Sequence, residues 1–487
     1  MSPSLPPQVP ARPSVTIRRM IVLGAGGDLA ARLILPGLAG LFSLGKLPDG
    51  FRLVGIDRSE WDGDAFRARV LAAITEHGDE KAVAVAGEFA ELCSYVHGDA
   101  GDPGALTAAL ATSEGPAVIY LALPPQVFAA AIGAIAAAGL PEGSAVVIEK
   151  PFGHDLESAQ ELNALLATAA PESAIHRVDH FLEKQTVQNV LGLRFANRIF
   201  EPIWNREHVE KVEIIWDETL ALEGRANYYD RSGALRDMIQ NHLLQVMALV
   251  AMEPPPTLHE RDLRDRKVDV LRAVRTPSDA EVAAETVRAR YTAGVAKNGP
   301  VPDYTAESGV DPAKGTETYA EVTLRIDNWR WAGVPFILRS GKALGDTCQH
   351  VAIHFRPVPH LTFDHGARAE PNLLIIGLAP DRLELSVNIN GHGDMFDLEE
   401  TTLVAELAPQ EISAYGKVIL DVLHSDPTLS IRGDEAEESW RIVEPIMDAW
   451  AAGTPAIEEY PAGSPGPVGS FCGPEGQPPR KLTAFSS

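Results

Sequence analysis

The sequence predicts two kinds of sheet in one chain: a doubly wound parallel sheet in an α/β domain, then a large, mostly antiparallel sheet in an α+β domain. Three observations predict this. Between Ile17 and about Val178, apolar strand-like runs alternate with alanine-rich helical stretches. After Asp179 the later strands alternate apolar and polar residues, as half-buried antiparallel strands do. The length of 487 residues calls for two or three domains rather than one small core. Parallel strands need crossovers, and the repeating strand–helix rhythm supplies them.

The first domain is predicted over residues 17–178, after a Pro/Ser-rich flexible tail at 1–16. Its strands are MIVLG (Met20–Gly24), FRLVGID (Phe51–Asp57), AVIYLAL (Ala117–Leu123) and AVVIEK (Ala145–Lys150). Helices fall at Leu29–Leu44, Asp64–His77, Pro103–Ala111 and Val127–Gly139. The second domain spans 179–487, with helices at Lys184–Asn197 and from Ser232 to Met252, where Ser232 is a natural N-cap. Its strands are read at Val212–Leu220, Tyr319–Asp327, Val351–Pro357, Asn372–Leu378 and Arg382–Ile389. The chain after Tyr460 is rich in Gly and Pro and mostly irregular.

Composition removes several functions. With 42 Lys+Arg against 67 Asp+Glu, the net charge of −25 excludes a sequence-blind nucleic-acid binder and argues against an anionic membrane surface. The apolar stretch Val127–Leu140 is 14 residues long, short of the roughly 20 that span a bilayer. The N-terminus lacks the pattern of a secretory signal. Three scattered cysteines form neither a disulfide framework nor a zinc spacing, so a reducing cytoplasm is expected.

The first strand runs into Gly24-Ala25-Gly26-Gly27-Asp28-Leu29-Ala30 and then a helix, the context of a dinucleotide-binding turn. Gly24, Gly27 and Ala30 fit G-x-x-G-x-x-A, and glycines let backbone amides approach a pyrophosphate. The second strand ends in Asp57-Arg58, which point opposite ways: an acid suits the 2′-hydroxyl of NAD, an arginine the 2′-phosphate of NADP. RVDHFLEK (Arg177–Lys184) packs Asp179, His180 and Lys184 together. A helix starting near His180 would put His180 and Lys184 on one face, suited to a phosphate. In the helix after Ser232, Asp237 and His242 lie five apart, about 140° around an α-helix. A neutral histidine near an aspartate can serve as a general base.

These segments resemble the glucose-6-phosphate dehydrogenase family over about residues 17–467. GAGGDLAARLILPGLAGLF is similar to its cofactor turn and first helix, and YLALPP and EKPFGHDL to segments around its nicotinamide. RVDHFLEK, LRFANRIFEPIWNR, IDNWRWAGVPFILRSGKAL, AYGKVILDVL and SWRIVEPIMDAW continue the likeness. The resemblance implies a Rossmann domain and oxidation of β-D-glucose 6-phosphate at C1 to 6-phospho-D-glucono-1,5-lactone by NADP, the first step of the oxidative pentose phosphate pathway. It implies His242 as base and Asp179 as the carboxylate that orients it. His180 and Lys184 would bind the phosphate, and Glu218, Asp237 and Lys342 the sugar and phosphate side. Lys150 would lie near C1 and the nicotinamide, with Pro151 in a cis bond. Gly24, Gly27, Asp28, Leu29 and Arg58 would hold the cofactor. No metal is implied, and a homodimer or homotetramer is expected.

Several positions depart from the family. Gly26 stands where a Ser or Thr is frequent, Ala31 where a basic residue is, and Asp57 where a small residue is usual, which opens NAD use. Glu183 replaces a glycine, placing a carboxylate near the expected phosphate, and Phe181 lacks a tyrosine hydroxyl. Ala379 replaces a sugar-contacting amide, Thr347 a basic group and Pro465 a tryptophan. Two alternatives follow: a paralogue acting on another sugar or sugar phosphate, and a non-catalytic regulatory homologue.

Overall fold

The computed structural model describes residues 16–363, 369–393 and 397–467, so the tail expected at 1–16 lies outside the described residues except for Thr16. The chain forms two compact units. The first comprises residues up to Glu183 together with Thr257–Arg264 and Gln410–Gly433.

Its sheet is built from β1 (Arg19–Leu23), β2 (Arg52–Asp57), β3 (Cys93–His97), β4 (Val118–Leu121), β5 (Ala145–Ile148) and β6 (Ile175–Arg177), in the order β3-β2-β1-β4-β5-β6. Every pairing is parallel. All residues of β1, β4 and β5 are buried, as strands covered on both faces must be. The winding reverses between β1 and β4, and in open α/β sheets the ligand crevice lies at the carboxyl ends of such a switch point.

The sequence reading omitted β3 and β6. CSYVH is half-exposed along most of its length, and IHR is three residues long, so neither shows an apolar run. The returning segment supplies a helix, Ala414–Leu423, capped by Ser413, whose hydroxyl accepts from Gly416 N at 3.1 Å. Val418, Ile419, Val422 and Leu423 join the first unit's core beside Ile34, Leu35 and Leu38. Gly37 admits this close approach: a Cβ there would stand 3.3 Å from Ile419 Cδ1.

The second unit comprises Lys184–Pro256, Asp265–Pro409 and the chain from Asp434 onward. Its strands are β7 (Val209–Asp217), β8 (Thr286–Thr292), a small hairpin β9 (Gly294–Ala296) and β10 (Gly299–Val301), β11 (Tyr319–Arg325), β12 (Pro335–Gly341), β13 (Cys348–Phe355), β14 (Leu373–Leu378), β15 (Asp381–Asn390), β16 (Leu398–Glu406) and β17 (Glu458–Pro461). Outside the hairpin they form one sheet of order β16-β15-β14-β13-β7-β12-β11-β8-β17. β12 pairs parallel to β7 and β17 parallel to β8, and the remaining pairs are antiparallel. Val212 and Ile214 of β7, Phe336 and Leu338 of β12, and Val351 and Ile353 of β13 are all buried.

The helix expected from Ser232 is built differently. Gly233 (φ +67°) breaks it, so Ser232 ends a preceding helix, Ala226–Ala234, and donates back to Tyr228 and Tyr229 carbonyls instead of capping. The next helix opens on Leu235, whose N–H donates to Glu317 Oε1 at 3.0 Å, so a side chain far along the sequence is the cap. From Leu235 to Leu243 the winding is π, and it becomes α over Leu244–Ala251. Among the described residues no helix is long and apolar enough to cross a membrane. The packing of 410–433 generates a first prediction. Ile419→Ala should cost about 2–5 kcal/mol through the cavity it leaves, read as a lower urea midpoint; an unchanged midpoint would contradict this segment's place in the core.

Candidate active site

In the first unit, β1 delivers the chain into the glycine turn beside the end of β4. Gly24 has φ +81°, and a Cβ on it would lie 2.5 Å from the Ala122 carbonyl oxygen, so only glycine fits. Its N–H donates to Ile56 O at 2.9 Å, and Gly27 N–H closes the turn on Gly24 O at 3.0 Å. Ala30–Ile34 and Leu35–Ser43 continue as helix from there. A backbone cradle that a Cβ would fill, at the switch point and before a helix, suits a dinucleotide pyrophosphate. Asp28 points outward and pairs with Arg32 at 3.4 Å, while Leu29 packs on the core. Arg58 is exposed.

β5 leads to Glu149 and Lys150, with the Lys150–Pro151 bond cis. Glu149 is buried and accepts from Tyr120 Oη at 2.5 Å. Burial pushes its carboxyl up to about 7, against hydrogen bonds from Tyr120 and Tyr415 and the Lys150 charge; the Asp179 charge adds to the rise. β6 leads to Asp179, also buried, whose Oδ1 accepts from Phe181 N–H at 2.9 Å. His180 stacks on Tyr415 with centroids 5.5 Å apart.

Here the sequence reading needs correction. The following helix starts at Gln185, with Lys184 at its extended N-cap (ψ 132°), so His180 and Lys184 do not share a helical face. Two buried side chains, Phe181 and Leu182, anchor the intervening turn and keep it from continuing a helix. Glu183 is buried as well and turns toward Asp421 and Lys417; burial and the Asp421 charge raise its pKa, opposed by Lys417.

In the second unit, Lys184 Nζ sits 4.8 Å over the Trp216 ring. Burial lowers its pKa and the Asp381 charge opposes this. Lys342 donates to Glu218 and lies 5.2 Å over Tyr229. Asp237 accepts from Tyr228 Oη at 3.1 Å. The charges of Asp237 and Glu218 both add to the rise in Tyr229's pKa, whose main cause is burial, so Glu218, Asp237 and Lys342 surround one tyrosine. His242 is buried on the π-helical segment, its N–H bonded to Asn241 Oδ1 at 2.5 Å. In a π-helix the ladder runs i→i+5, so Asp237 and His242 come onto one side of the segment rather than lying 140° apart.

A doubly wound parallel sheet with this glycine turn at its switch point is the fold of a dinucleotide-binding domain, and the family models make it that of a nicotinamide-dependent oxidoreductase. The family models "Glucose-6-phosphate dehydrogenase, NAD binding domain" and "Glucose-6-phosphate dehydrogenase, C-terminal domain" match residues 21–189 and 191–471. The chain belongs to the glucose-6-phosphate dehydrogenase family. It is 40% identical over 475 residues to glucose-6-phosphate 1-dehydrogenase of Treponema pallidum, with 92% of each chain covered. It is 38% identical to that of Bacillus subtilis, covering 92% of this chain and 94% of the relative. Among solved structures, the Mycobacterium avium enzyme superposes with a TM-score of 0.84 at 34% identity, covering 95% of this chain and 99% of that one. A glucose-6-phosphate dehydrogenase solved with its substrate glucose-6-phosphate gives 0.84 at 31% identity, covering 94% and 96%.

Sequence reasoning missed Tyr120, Glu149 and Tyr415. Tyr120 lies in an apolar run and reads as core, and Tyr415 is remote in sequence from the strand ends it meets. Glu149, adjoining Lys150 at the end of an apolar strand, was the available signal. Its raised carboxyl fixes a sign. The folded state holds the proton more tightly, so Glu149's contribution to stability is full below pH about 4.5 and is lost as pH rises to about 7. The unfolding free energy of Glu149→Gln should therefore gain on that of the parent between pH 4.5 and 7, measured by urea titration, and run parallel to it above; a constant difference across the range would contradict the raised pKa.

Proposed function

We propose that the chain oxidises C1 of β-D-glucose 6-phosphate to 6-phospho-D-glucono-1,5-lactone with a nicotinamide dinucleotide as acceptor. The observation that carries this is membership of the family through both of its domains, with residues 21–189 and 191–471 matched. NADP is the cofactor the family resemblance implies, with NAD as an alternative.

His242 takes the proton of the C1 hydroxyl. An imidazole held inside the unit is suited to this, because histidine is the side chain that most often serves as a general base. Asp179 orients that imidazole and stabilises its charged form, a role supported by a carboxylate whose own direction is fixed through Phe181 N–H. His180 and Lys184 bind the phosphate, and Lys150 lies near C1. Glu218, Asp237 and Lys342 bind the sugar hydroxyls and phosphate side. Gly24, Gly27, Asp28, Leu29 and Arg58 hold the cofactor. Bound nicotinamide supplies the hydride acceptor. The work of the protein's own groups is to hold the sugar, remove one proton and stabilise the charge left on His242.

The unit after residue 179 also carries assembly. We place a homodimer contact on the outer sheet strands, because Leu403 and Val404 of the edge strand β16 and Ile389 of its neighbour β15 are exposed apolar residues. The compartment we assign is the cytoplasm.

The test is folded, purified protein with glucose 6-phosphate and either cofactor, followed by absorbance of the reduced nicotinamide. Turnover requiring the 6-phosphate is expected, and none with either cofactor would overturn the proposal. Turnover of the unphosphorylated sugar alone would favour the paralogue. His242→Asn should lower kcat by about two to four orders of magnitude with little change in KM; unchanged kcat would remove His242 from the base role.

A further inference from the structure

Asp237 is held from the far side of a break in its own helical stretch. Tyr228 lies on Ala226–Ala234, before the turn at Gly233, and Asp237 lies on the π-wound segment after it. The two meet across the break, where Tyr228 Oη donates to Asp237 Oδ1 at 3.1 Å. About half of the Tyr228 residue surface is exposed, while its hydroxyl end turns in to the carboxylate. Burial of that end and the Asp237 charge raise the phenol's pKa, with Arg225 opposing, so the hydroxyl keeps its proton and stays a donor.

Both sides of the break are fastened to one stretch of chain. Asp230, buried on the same helix as Tyr228, accepts from Tyr304 Oη at 2.9 Å, Asp311 N–H at 3.1 Å and Lys314 Nζ at 2.8 Å. The Asp230 carbonyl accepts from Thr316 Oγ1 at 2.9 Å. Beyond the break, the Glu317 carboxyl takes Leu235 N–H and the Glu317 carbonyl takes Ala234 N–H at 3.3 Å. Residues 304–317 therefore fix the helix that carries Tyr228 and the start of the segment that carries Asp237. Tyr229, next in sequence, is buried with Lys342 Nζ 5.2 Å from its ring centre. Two successive tyrosines of one fastened helix thus meet two of the groups assigned to the sugar.

We propose that Tyr228 is a positioning residue for the sugar: its phenol holds the Asp237 carboxylate in the direction a glucose hydroxyl requires. The inference rests on the dehydrogenase reading above, in which Asp237 binds the sugar. A carboxylate without such a bond turns broadly about χ2, and a ligand would have to order it on binding. The phenol acts through Asp237 and removes that ordering cost before the sugar arrives. A contribution of this kind belongs to binding, so it shows in KM rather than in the proton transfer to His242.

Tyr228→Phe keeps the ring and removes the hydroxyl. It should raise KM for glucose 6-phosphate about tenfold, with kcat held within about twofold and KM for the dinucleotide unchanged. Asp237→Asn should raise the same KM, and the double variant should be no worse than Asp237→Asn alone. Calorimetric titration with 2-deoxy, 3-deoxy and 4-deoxy analogues of glucose 6-phosphate separates positioning from general support of the fold. The analogue whose affinity no longer responds to Asp237→Asn should stop responding to Tyr228→Phe as well. Equal weakening of every analogue by Tyr228→Phe, or losses that multiply in the double variant, overturns the inference and leaves Tyr228 a structural residue. An affinity that Asp237→Asn lowers and Tyr228→Phe does not, or that Asp237→Asn leaves unchanged, overturns it too. If the parent protein binds no glucose 6-phosphate, the dehydrogenase reading fails and the inference falls with it.

Discussion

The guanidinium of Arg177 is fully buried at the end of β6, and it gathers segments that the sequence holds far apart. It donates to Glu172 Oε1 at 2.7 Å and Oε2 at 3.2 Å, and to Asn163 Oδ1 at 2.7 Å. It also reaches Ile431 O, while Gly433 N–H donates to the same glutamate. Glu172 is partly exposed, so its removal leaves the buried guanidinium to Asn163 and the Ile431 carbonyl. These contacts bear on the last strand of the parallel sheet. Val178, Asp179 and His180 follow directly, and the returning 410–433 segment carries Tyr415 to His180 and Glu149. One buried arginine therefore ties the segment that carries Asp179 and His180 to the returning segment that carries Tyr415.

Much of this first unit is legible in sequence because its strands are buried on both faces. Runs such as MIVL and AVVI have no other explanation in a soluble-type composition, and the glycine turn between strand and helix adds a chemical reason. What escaped were elements held by tertiary partners. β6 exists because Arg177 is caught from three sides, not because IHR prefers a strand. The helix carrying His242 is started by Glu317, so Ser232 misled as a local cap, and no periodicity announces a π winding. The expected face shared by His180 and Lys184 failed for a similar reason, since buried Phe181 and Leu182 outweigh the local helical signal.

The candidate site residues are visible in the sequence as residue types more than as an arrangement. Asp179 is visible in the charged block RVDHFLEK, His242 in a helix rich in neutral hydrogen-bonding groups and Lys150 at the end of an apolar strand, while the roles expected of them came from the family resemblance. Their surroundings do not stand out. Glu149 is defined by two tyrosine hydroxyls, one within an apolar strand and one on a helix that returns from the far end of the chain.

The net charge of −25 poses a question for a chain whose expected ligands are anions. Distance answers most of it, since exposed charges beyond about 8 Å are screened at physiological salt. Only nearby acids matter, where a like pair at about 4 Å costs on the order of 4 kcal/mol in an effective dielectric of about 20. Three acids of the first unit, Asp57, Glu183 and Glu149, are each managed differently. Asp57 is tied by three donors, which hold its charge on the turn's own N–H. Glu183 faces inward, where burial and Asp421 favour its neutral form. Glu149 is raised to about 7 by burial and bonded to tyrosine hydroxyls, so it carries only part of a charge near neutrality. An acidic exterior and anion chemistry coexist because these three acids are spent on internal hydrogen bonds or kept protonated, Asp28 is paired with Arg32, and the remote ones are too far away to repel.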